Sequence, residues 1–425
     1  MKRVFYGWWM VGAGSGLQFM QSFFLMQSFG AYVAVLRDDR GWSKTELSGA
    51  AALQQVEAAL LGPIVGWFLD RFGPRGVLRT GTLMFGIGFI LLSQIDSLLG
   101  FYGAFVVIAV GVSMSGFFPL NVALIQWFER KRARALSSLQ FGLALGGMAV
   151  PVIAWSLTTH GWRATAFASG VVVILVGLPL AQVIRRRPED YGLRVDGEPP
   201  APRDGAVAAG AAAPHPAHAD GTRDFTLREA LRTPAFWLLS LGHAFALLVV
   251  SGVNVHAITH MKEGLGYTVE AAAFVIMLMT ASQLGGVMIG WVISDRYNKR
   301  LISVACMLMH MLGLLALTYA GGSSGTVNTM LATFAVLHGA AWGIRGPLMQ
   351  AIRADYFGRS AIGMILGISY MVIVFGQVGG PLVAGILADI TGNYRVGFTA
   401  LAVLAGLGSV FFLVARRPAR PKVPA

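Results

Sequence analysis

Long apolar runs without a charged residue are the feature that most constrains this chain. Only 12% of its 425 residues are charged, against about 25% in soluble domains. A helix needs roughly 20 apolar residues to cross the hydrocarbon core of a bilayer, and each run reaches that length. The chain is therefore predicted to be an all-α membrane protein. The runs are Val4–Leu36, Ser97–Phe128, Ala135–Trp162, Ala164–Ile184, Thr233–Met261, Ala271–Ser294, Ser360–Ala388 and Val396–Ala415.

Four further spans bring the predicted total to twelve. Two come from the 44-residue run at 301–344, which Gly321-Gly322-Ser323-Ser324-Gly325 divides. Two more are predicted near 46–69 and 77–95. The glycine–serine stretch formally matches a serine-hydrolase elbow, but it lacks the strand–turn–helix context and is interpreted as a loop.

Repeated segments predict that the chain is duplicated. The charged hairpin Gly66–Arg75 returns in weaker form as Trp291–Arg300, and Pro151–Phe167 returns as Pro381–Phe398. We therefore predict two pseudo-symmetric six-helix bundles, at residues 1–184 and 226–425. A cytoplasmic linker at 185–225 would join them, because its first 40 residues hold six prolines and nine alanines and cannot bury a core.

The distribution of positive charge predicts the orientation of the chain. The net charge is +13, and 26 of the 33 lysines and arginines lie on the side that also carries both termini. This asymmetry places both termini in the cytoplasm and argues against a nucleic-acid partner. The single cysteine, Cys306, excludes an internal disulfide and is interpreted as a small core residue.

The chain resembles the major facilitator superfamily, in which a loop like Gly66–Arg75 joins the second and third helices. Within it, the chain is similar to bacterial monocarboxylate porters and oxalate:formate antiporters. The resemblance implies the major facilitator fold, transport by alternating access, and a multi-pass protein of the bacterial inner membrane. The segments that carry the finer likeness are Tyr6-Gly7-Trp8-Trp9, Gly41-Trp42-Ser43, Trp127–Leu136, Gly161-Trp162-Arg163 and Arg187–Leu193.

Three positions depart from those carboxylate groups. Gln27 stands where similar porters carry a lysine late in the first helix. The eighth helix, Met277–Gly286, has no charge where an Asp/Arg pair is expected, and the eleventh lacks the lysine of an oxalate antiporter. The substrate and the proton coupling of those groups are therefore not carried over to this chain.

Two charges are predicted to lie deep in the membrane, where a charge costs about 2.5–3.5 kcal/mol on insertion scales. Arg345 has a planar fork that suits a carboxylate, so it is a candidate for binding an anionic substrate. Its alternative role is a structural ion pair or a bond to free carbonyls. Glu57 is a candidate for proton coupling. Its alternatives are a fixed bridge to Arg345 or a neutral structural role.

Other polar residues complete the candidate site. Each histidine is more often a packing residue than a proton carrier. The further proton-coupling candidates are His243, His256 and His338, with His310 the weakest. The further substrate-binding candidates are Asn121, Asn254, Gln283, Gln27 and Gln377. The gating candidates are Asp70, Arg71, Arg75, Asp295 and Arg296. In this fold Asp70 would cap the start of the eleventh helix, and Asp295 with Arg296 would act likewise on the fifth.

These features predict a secondary transporter of a small organic anion, in particular a monocarboxylate, working by proton symport. We expect no enzyme activity, no catalytic residue, no metal and no cofactor, with the proton as the possible coupling ion. The partners expected are the substrate and the lipid bilayer, and the protein is expected to function as a monomer. The alternatives are an exporter or antiporter of a drug-like or other small compound and, outside transport, a membrane-embedded sensor.

Overall fold

The computed structural model of the chain describes residues 4–26, 28–42, 44–197 and 222–423, and most of these residues are helical. Two π-helical turns, Ser22–Met26 and Val173–Gly177, interrupt the helices of the first half. The helices of that half are α1 (Tyr6–Gln21), α2 (Phe29–Arg40), α3 (Lys44–Phe72), α4 (Pro74–Leu92), α5 (Leu98–Ser115), α6 (Phe117–Trp127), α7 (Arg132–Met148), α8 (Val150–Val172) and α9 (Leu178–Val183).

The second half begins with a short helix, α10, which directly precedes the seventh span. Thr233 then caps the next helix by accepting from the N–H of Phe236, with Pro234 in its first turn. The helices of this half are α10 (Leu227–Leu231), α11 (Pro234–Leu265), α12 (Val269–Ile293), α13 (Lys299–Thr318), α14 (Ser324–Phe357), α15 (Ile362–Thr391) and α16 (Arg395–Val414).

These helices account for the twelve predicted membrane spans in two six-helix bundles. Within the described residues, nine helical stretches are long and apolar enough to cross a membrane. One of them, Arg132–Val183, is 52 residues long and contains the fifth and sixth spans. The first span is formed by α1 and α2, and the second by α3. The chain is thus an all-α, multi-pass membrane protein.

Glycine makes the turn between the last two spans of each half. Gly161 has φ +79°, and Gly392, its counterpart in the predicted repeat, has φ +73°. This left-handed backbone strongly favours glycine. The predicted repeat of Pro151–Phe167 in Pro381–Phe398 therefore includes a turn with the same backbone conformation.

The backbone forms two compact units. The first comprises Met1–Thr226, Phe357–Gly367 and Arg420–Ala425, and the second comprises Leu227–Tyr356 and Ile368–Ala419. The first turns of α15 therefore pack with the first unit. The domain limits predicted at 184 and 226 stay a prediction.

The predicted linker is described only at its ends. Residues 185–197 contain two 3-10 turns, Glu189–Tyr191 and Val195–Gly197, and residues 198–221 lie outside the described part of the chain. The guanidinium carbon of Arg185 lies 3.9 Å from the ring centre of Tyr6, which anchors the start of this segment on α1.

Small residues bring corresponding helices together in each unit. A Cβ on Gly142 of α7 would collide with the carbonyl of Ser15 on α1. In the second unit a Cβ on Gly380 of α15 would collide with the carbonyl of Leu248 on α11. Small residues on the fifth and eleventh spans therefore form faces of close helix contact.

Candidate functional site

The carboxylate of Asp70, near the end of α3, caps the start of α15. Its Oδ1 accepts a hydrogen bond of 2.9 Å from the N–H of Gly363, and its Oδ2 accepts one of 2.9 Å from the N–H of Met364. The first N–H groups of a helix have no partner within the helix, and the helix dipole favours an anion there. The contact predicted from the sequence is present, while its gating role stays a prediction.

Neighbouring arginines hold the hairpin that carries Asp70. The Arg75 guanidinium donates to the side-chain oxygen of Gln182 at 2.8 Å, and Arg71 lies over the ring of Trp67 at 5.4 Å. Arg186 donates to the carbonyl of Asp70 at 3.0 Å. These contacts tie the start of α4 to α9 and the end of α3 to the start of the linker segment. Asp295 and Arg296 lie in the turn between α12 and α13, and their gating role also stays a prediction.

Glu57 lies on α3 with one oxygen bonded and one without a partner. Its Oε2 accepts from the hydroxyl of Ser113 on α5 at 3.0 Å. Its Oε1 is buried and has no hydrogen-bond partner among the described residues. A half-buried carboxyl with a free oxygen can take up a proton without breaking the bond to Ser113. This geometry is compatible with the coupling role and does not test it.

Arg345 is completely buried in the second unit. Its side chain lies close enough to interact electrostatically with His243, Cys306, His310 and His338. Its Nε and Nη1 have no hydrogen-bond partner in the described part of the chain, and no ion pair there joins it to a carboxylate. Unpartnered guanidinium N–H groups in a dry interior are costly, so the group is suited to receiving an anion.

Arg353 is a second buried arginine, in addition to the two deep charges predicted from the sequence. It lies on α14 with 1% of its surface exposed. It donates to the carbonyls of Met349 at 2.6 Å and Leu239 at 3.2 Å, and to His243 Nδ1 at 3.4 Å. A spacing of eight residues from Arg345 was the available signal, because it places both side chains near one helix face.

The candidate histidines all have protein partners. His243 accepts from Arg353, so its proton is on Nε2. His256 Nε2 donates to the carbonyl of Pro381 at 3.0 Å. The Nδ1 atoms of His338 and His310 lie 3.2 Å apart, one donating to the other. These bonds are those of packing residues, and a proton-coupling role for His243, His256 or His338 stays a prediction.

The polar substrate-binding candidates differ in burial. Asn121 on α6 is fully buried, and both amide atoms lack a hydrogen-bond partner within the described ranges. Gln283 and Gln377 are half-buried, and Asn254 is exposed. Gln27 lies outside the described residues. Of these amides, Asn121 is therefore the best candidate to form hydrogen bonds with a ligand.

Comparison with known proteins agrees with this architecture. The family model described as Major Facilitator Superfamily matches residues 14–327 and 292–425. Monocarboxylate transporter 13 of Rattus norvegicus is 28% identical over 96% of this chain and 89% of its own length. The oxalate:formate antiporter of Oxalobacter formigenes is 28% identical over 53% of this chain and 50% of its own length. The solved structure of the proton:xylose symporter XylE superposes with a TM-score of 0.71 at 14% identity, covering 96% of this chain and 95% of that one.

Twelve spans in two bundles, together with the family match and the transporters among its relatives, define a membrane transporter rather than an enzyme. The chain belongs to the Major Facilitator Superfamily. The resemblance stated from its motifs, including the likeness to monocarboxylate and oxalate:formate carriers, is confirmed.

Proposed function

We propose that this transporter moves a small organic anion, a monocarboxylate in particular, by alternating access coupled to proton symport. The observation that carries the proposal is the buried Arg345 guanidinium, whose Nε and Nη1 have no partner among the described residues. The guanidinium stays charged at any physiological pH, so a ligand that neutralises it must itself be an anion.

The surroundings of Arg345 favour a carboxylate over a larger or neutral cargo. Arg353 on the same helix bonds two backbone carbonyls and leaves only its Nε without a partner among the described residues, whereas Arg345 leaves both Nε and Nη1 without one. A carboxylate can accept two parallel N–H bonds from a guanidinium, which adds geometric selectivity to the charge. The names of the rat and Oxalobacter relatives, a monocarboxylate transporter and an oxalate:formate antiporter, support the same class of cargo.

Coupling and gating are assigned to two carboxylates of the first unit. Glu57 would carry the proton, because its Oε1 is free of protein partners in the described part of the chain. Asp70 would hold α15 against α3 in one stage of the cycle and release it in another. The charge asymmetry of the loops supports a bacterial inner-membrane location with both termini in the cytoplasm. One chain holds both units, which supports function as a monomer.

The test is uptake of radiolabelled lactate, pyruvate and formate by proteoliposomes, with and without an inward proton gradient. We expect saturable uptake that the gradient accelerates. Extrusion of a lipophilic cation by the same vesicles, with no carboxylate uptake, would favour a drug exporter and overturn the proposal. Uptake driven only by an opposing carboxylate would replace symport by exchange.

Arg345→Lys tests the assigned residue, since lysine keeps the charge but loses the planar fork. A bond to a charged group contributes about 1.5–3 kcal/mol, so the KM is expected to rise by about tenfold or more. Arg353→Lys is the matched control, because that guanidinium bonds the carbonyls of Met349 and Leu239 and is not assigned to the cargo. An unchanged KM in Arg345→Lys would show that Arg345 does not bind the cargo.

A further inference from the structure

The loop before α7 is held by an aspartate of the linker segment. Asp196 Oδ2 accepts from the N–H groups of Glu129 at 3.1 Å and Arg130 at 2.7 Å, and Oδ1 accepts from Lys131 at 3.3 Å. Asp196 has φ +58°, the left-handed backbone that non-glycine residues seldom adopt. The three bonds are what holds this residue in that conformation, so the linker segment is fixed on the loop.

The corresponding loop before α15 is held in the same way. Asp224, at the other end of the linker segment, accepts from the N–H of Arg359 at 2.8 Å and from the N–H and hydroxyl of Ser360 at 3.2 Å and 3.0 Å. The two loops correspond in the repeat, Phe128-Glu129-Arg130 matching Phe357-Gly358-Arg359. The ends of the linker segment therefore cap two equivalent loops.

The loop before α15 also makes a side-chain contact through Arg359. Arg359 Nη1 donates to the carbonyl of Gln126 at the end of α6 at 2.6 Å, and the side-chain nitrogen of Gln126 donates back to the Arg359 carbonyl at 2.8 Å. Arg359 Nη2 also pairs with Glu189 of the linker segment at 3.2 Å. Arg359 thus joins α6, the start of α15 and the linker segment.

The ion pair of Arg359 with Glu189 and its hydrogen bonds with Gln126 differ in their energetic contribution. The Glu189 side chain is 49% exposed, so its ion pair is screened by water and contributes little. Arg359 and Gln126 exchange two part-buried hydrogen bonds, each from a side chain to the other residue's carbonyl. The bond donated by the guanidinium is charge-assisted and therefore the stronger type. The backbone of Arg359 cannot shift freely, because Asp224 holds its N–H.

We propose that Arg359 is a positioning residue of the transport cycle, which latches the start of α15 to the end of α6 while Asp224 and Glu189 hold it from the linker segment. This rests on the proposed function in one respect, that α15 must leave α3 during the cycle. The latch is separate from the Asp70 cap, which binds Gly363 and Met364 one turn further along α15. The linker segment is in this way part of the gate.

Hydrogen exchange of the full-length protein in proteoliposomes tests the latch without any substrate. In Arg359→Gln, the amides of Gly363 and Met364 are expected to exchange about tenfold faster, because the cap on Asp70 opens more often once the latch is lost. A purely local role for Arg359 would leave these two amides unchanged, since they bond Asp70 and not Arg359. Unchanged exchange would therefore overturn the proposal.

Three further variants make the result specific. Arg359→Lys should restore most of the protection, and Arg130→Gln, the same change in the corresponding loop before α7, should leave Gly363 and Met364 protected. Glu189→Gln alters an exposed side chain that does not threaten folding, and should raise exchange by less than Arg359→Gln. An equal rise in Arg130→Gln would indicate a general loosening and overturn the latch.

Transport assays separate this proposal from the assigned function. If carboxylate uptake is observed, Arg359→Gln should change its maximal rate with little change in KM. If no carboxylate is taken up but Gly363 and Met364 exchange faster in Arg359→Gln, the latch stands and the cargo assignment fails. If carboxylate is taken up, and Arg359→Gln shows a normal uptake rate and normal hydrogen exchange, the cargo assignment stands and the latch proposal fails.

Discussion

Gly66 on α3 and Gly363 on α15 lie against each other so closely that neither position has room for a side chain. A Cβ on Gly66 would collide with the carbonyl of Gly363, and a Cβ on Gly363 would lie 2.6 Å from the carbonyl of Gly66. The same approach brings the Asp70 carboxylate within hydrogen-bond distance of the first turn of α15. Backbone contact and charge therefore act together at this place.

Gly66→Ala should separate α15 from α3 by steric contact alone. We expect faster hydrogen exchange at Gly363 and Met364 and a lower uptake rate, since the stage of the cycle that needs this contact becomes less populated. Gly76→Ala is the matched control, because a Cβ at Gly76 on α4 would meet nothing within 4 Å. Unchanged exchange in Gly66→Ala would show that the contact is not held as described.

Glu57→Gln should remove proton coupling while leaving the hydrogen bond to Ser113 available. Glutamine has nearly the shape of glutamic acid but cannot titrate, so uptake should continue down the substrate gradient and no longer respond to a pH gradient. Ser113→Ala is the control that removes the bond of 3.0 Å and keeps the carboxyl, and it should retain the response to pH. Proton-driven accumulation by Glu57→Gln would assign the coupling to another group.

Asp96 follows α4, at the opposite end of that helix from Asp70. We expect it to give the fold a stability contribution that depends on pH. The hydrogen bond from Arg40, together with the charges of Arg163 and Arg40, holds the pKa of this carboxyl below its usual value. The distances to Arg40 and Arg163 are 2.8 Å and 2.7 Å. A carboxyl whose pKa is lowered on folding stabilises the fold above its unfolded-state pKa, and this contribution is lost as the pH falls through the folded-state value.

Asp96→Asn should accordingly lower the melting temperature at neutral pH, with a difference from the unaltered protein that shrinks at acid pH. Thermal unfolding in detergent at a series of pH values measures this. Asp190→Asn, an exposed acidic residue in a 3-10 turn of the linker segment, is the control for loss of one negative charge. A difference that stays constant into the acid range would contradict the linkage.

The sequence was sufficient to predict contacts that follow from a recognisable local motif. Asp70 could be placed at the start of the eleventh helix because its hairpin resembles the superfamily's loop and because helix N-termini favour carboxylates. The spacing of Arg353 from Arg345 indicates a shared helix face, but the burial of Arg353 involves the carbonyl of Leu239, 114 positions away, and does not follow from that spacing. The partners of Arg359, Gln126 and Glu189, are 233 and 170 positions away and leave no trace in hydropathy. Such contacts arise only from tertiary packing.

Asn121 offers a test in which stability and transport should move in opposite directions. Its buried amide has no partner for nitrogen or oxygen in the described ranges, and burying such a group unpaired costs about 1–3 kcal/mol. Asn121→Leu replaces it by an apolar side chain of similar size, so the melting temperature is expected to rise. Uptake should weaken, with a raised KM, if the amide bonds the cargo.

Thr82→Val is the contrasting control for that variant. Thr82 is also buried, but its hydroxyl already donates to the carbonyl of Leu78 at 2.7 Å, so the change removes a satisfied bond and should give no gain in stability. Thermal unfolding and uptake kinetics of the two variants, measured together, decide the role of Asn121. A rise in stability with an unchanged KM would make the amide a structural defect rather than a ligand for the cargo. A fall in stability would mean that the amide is bonded in the working protein.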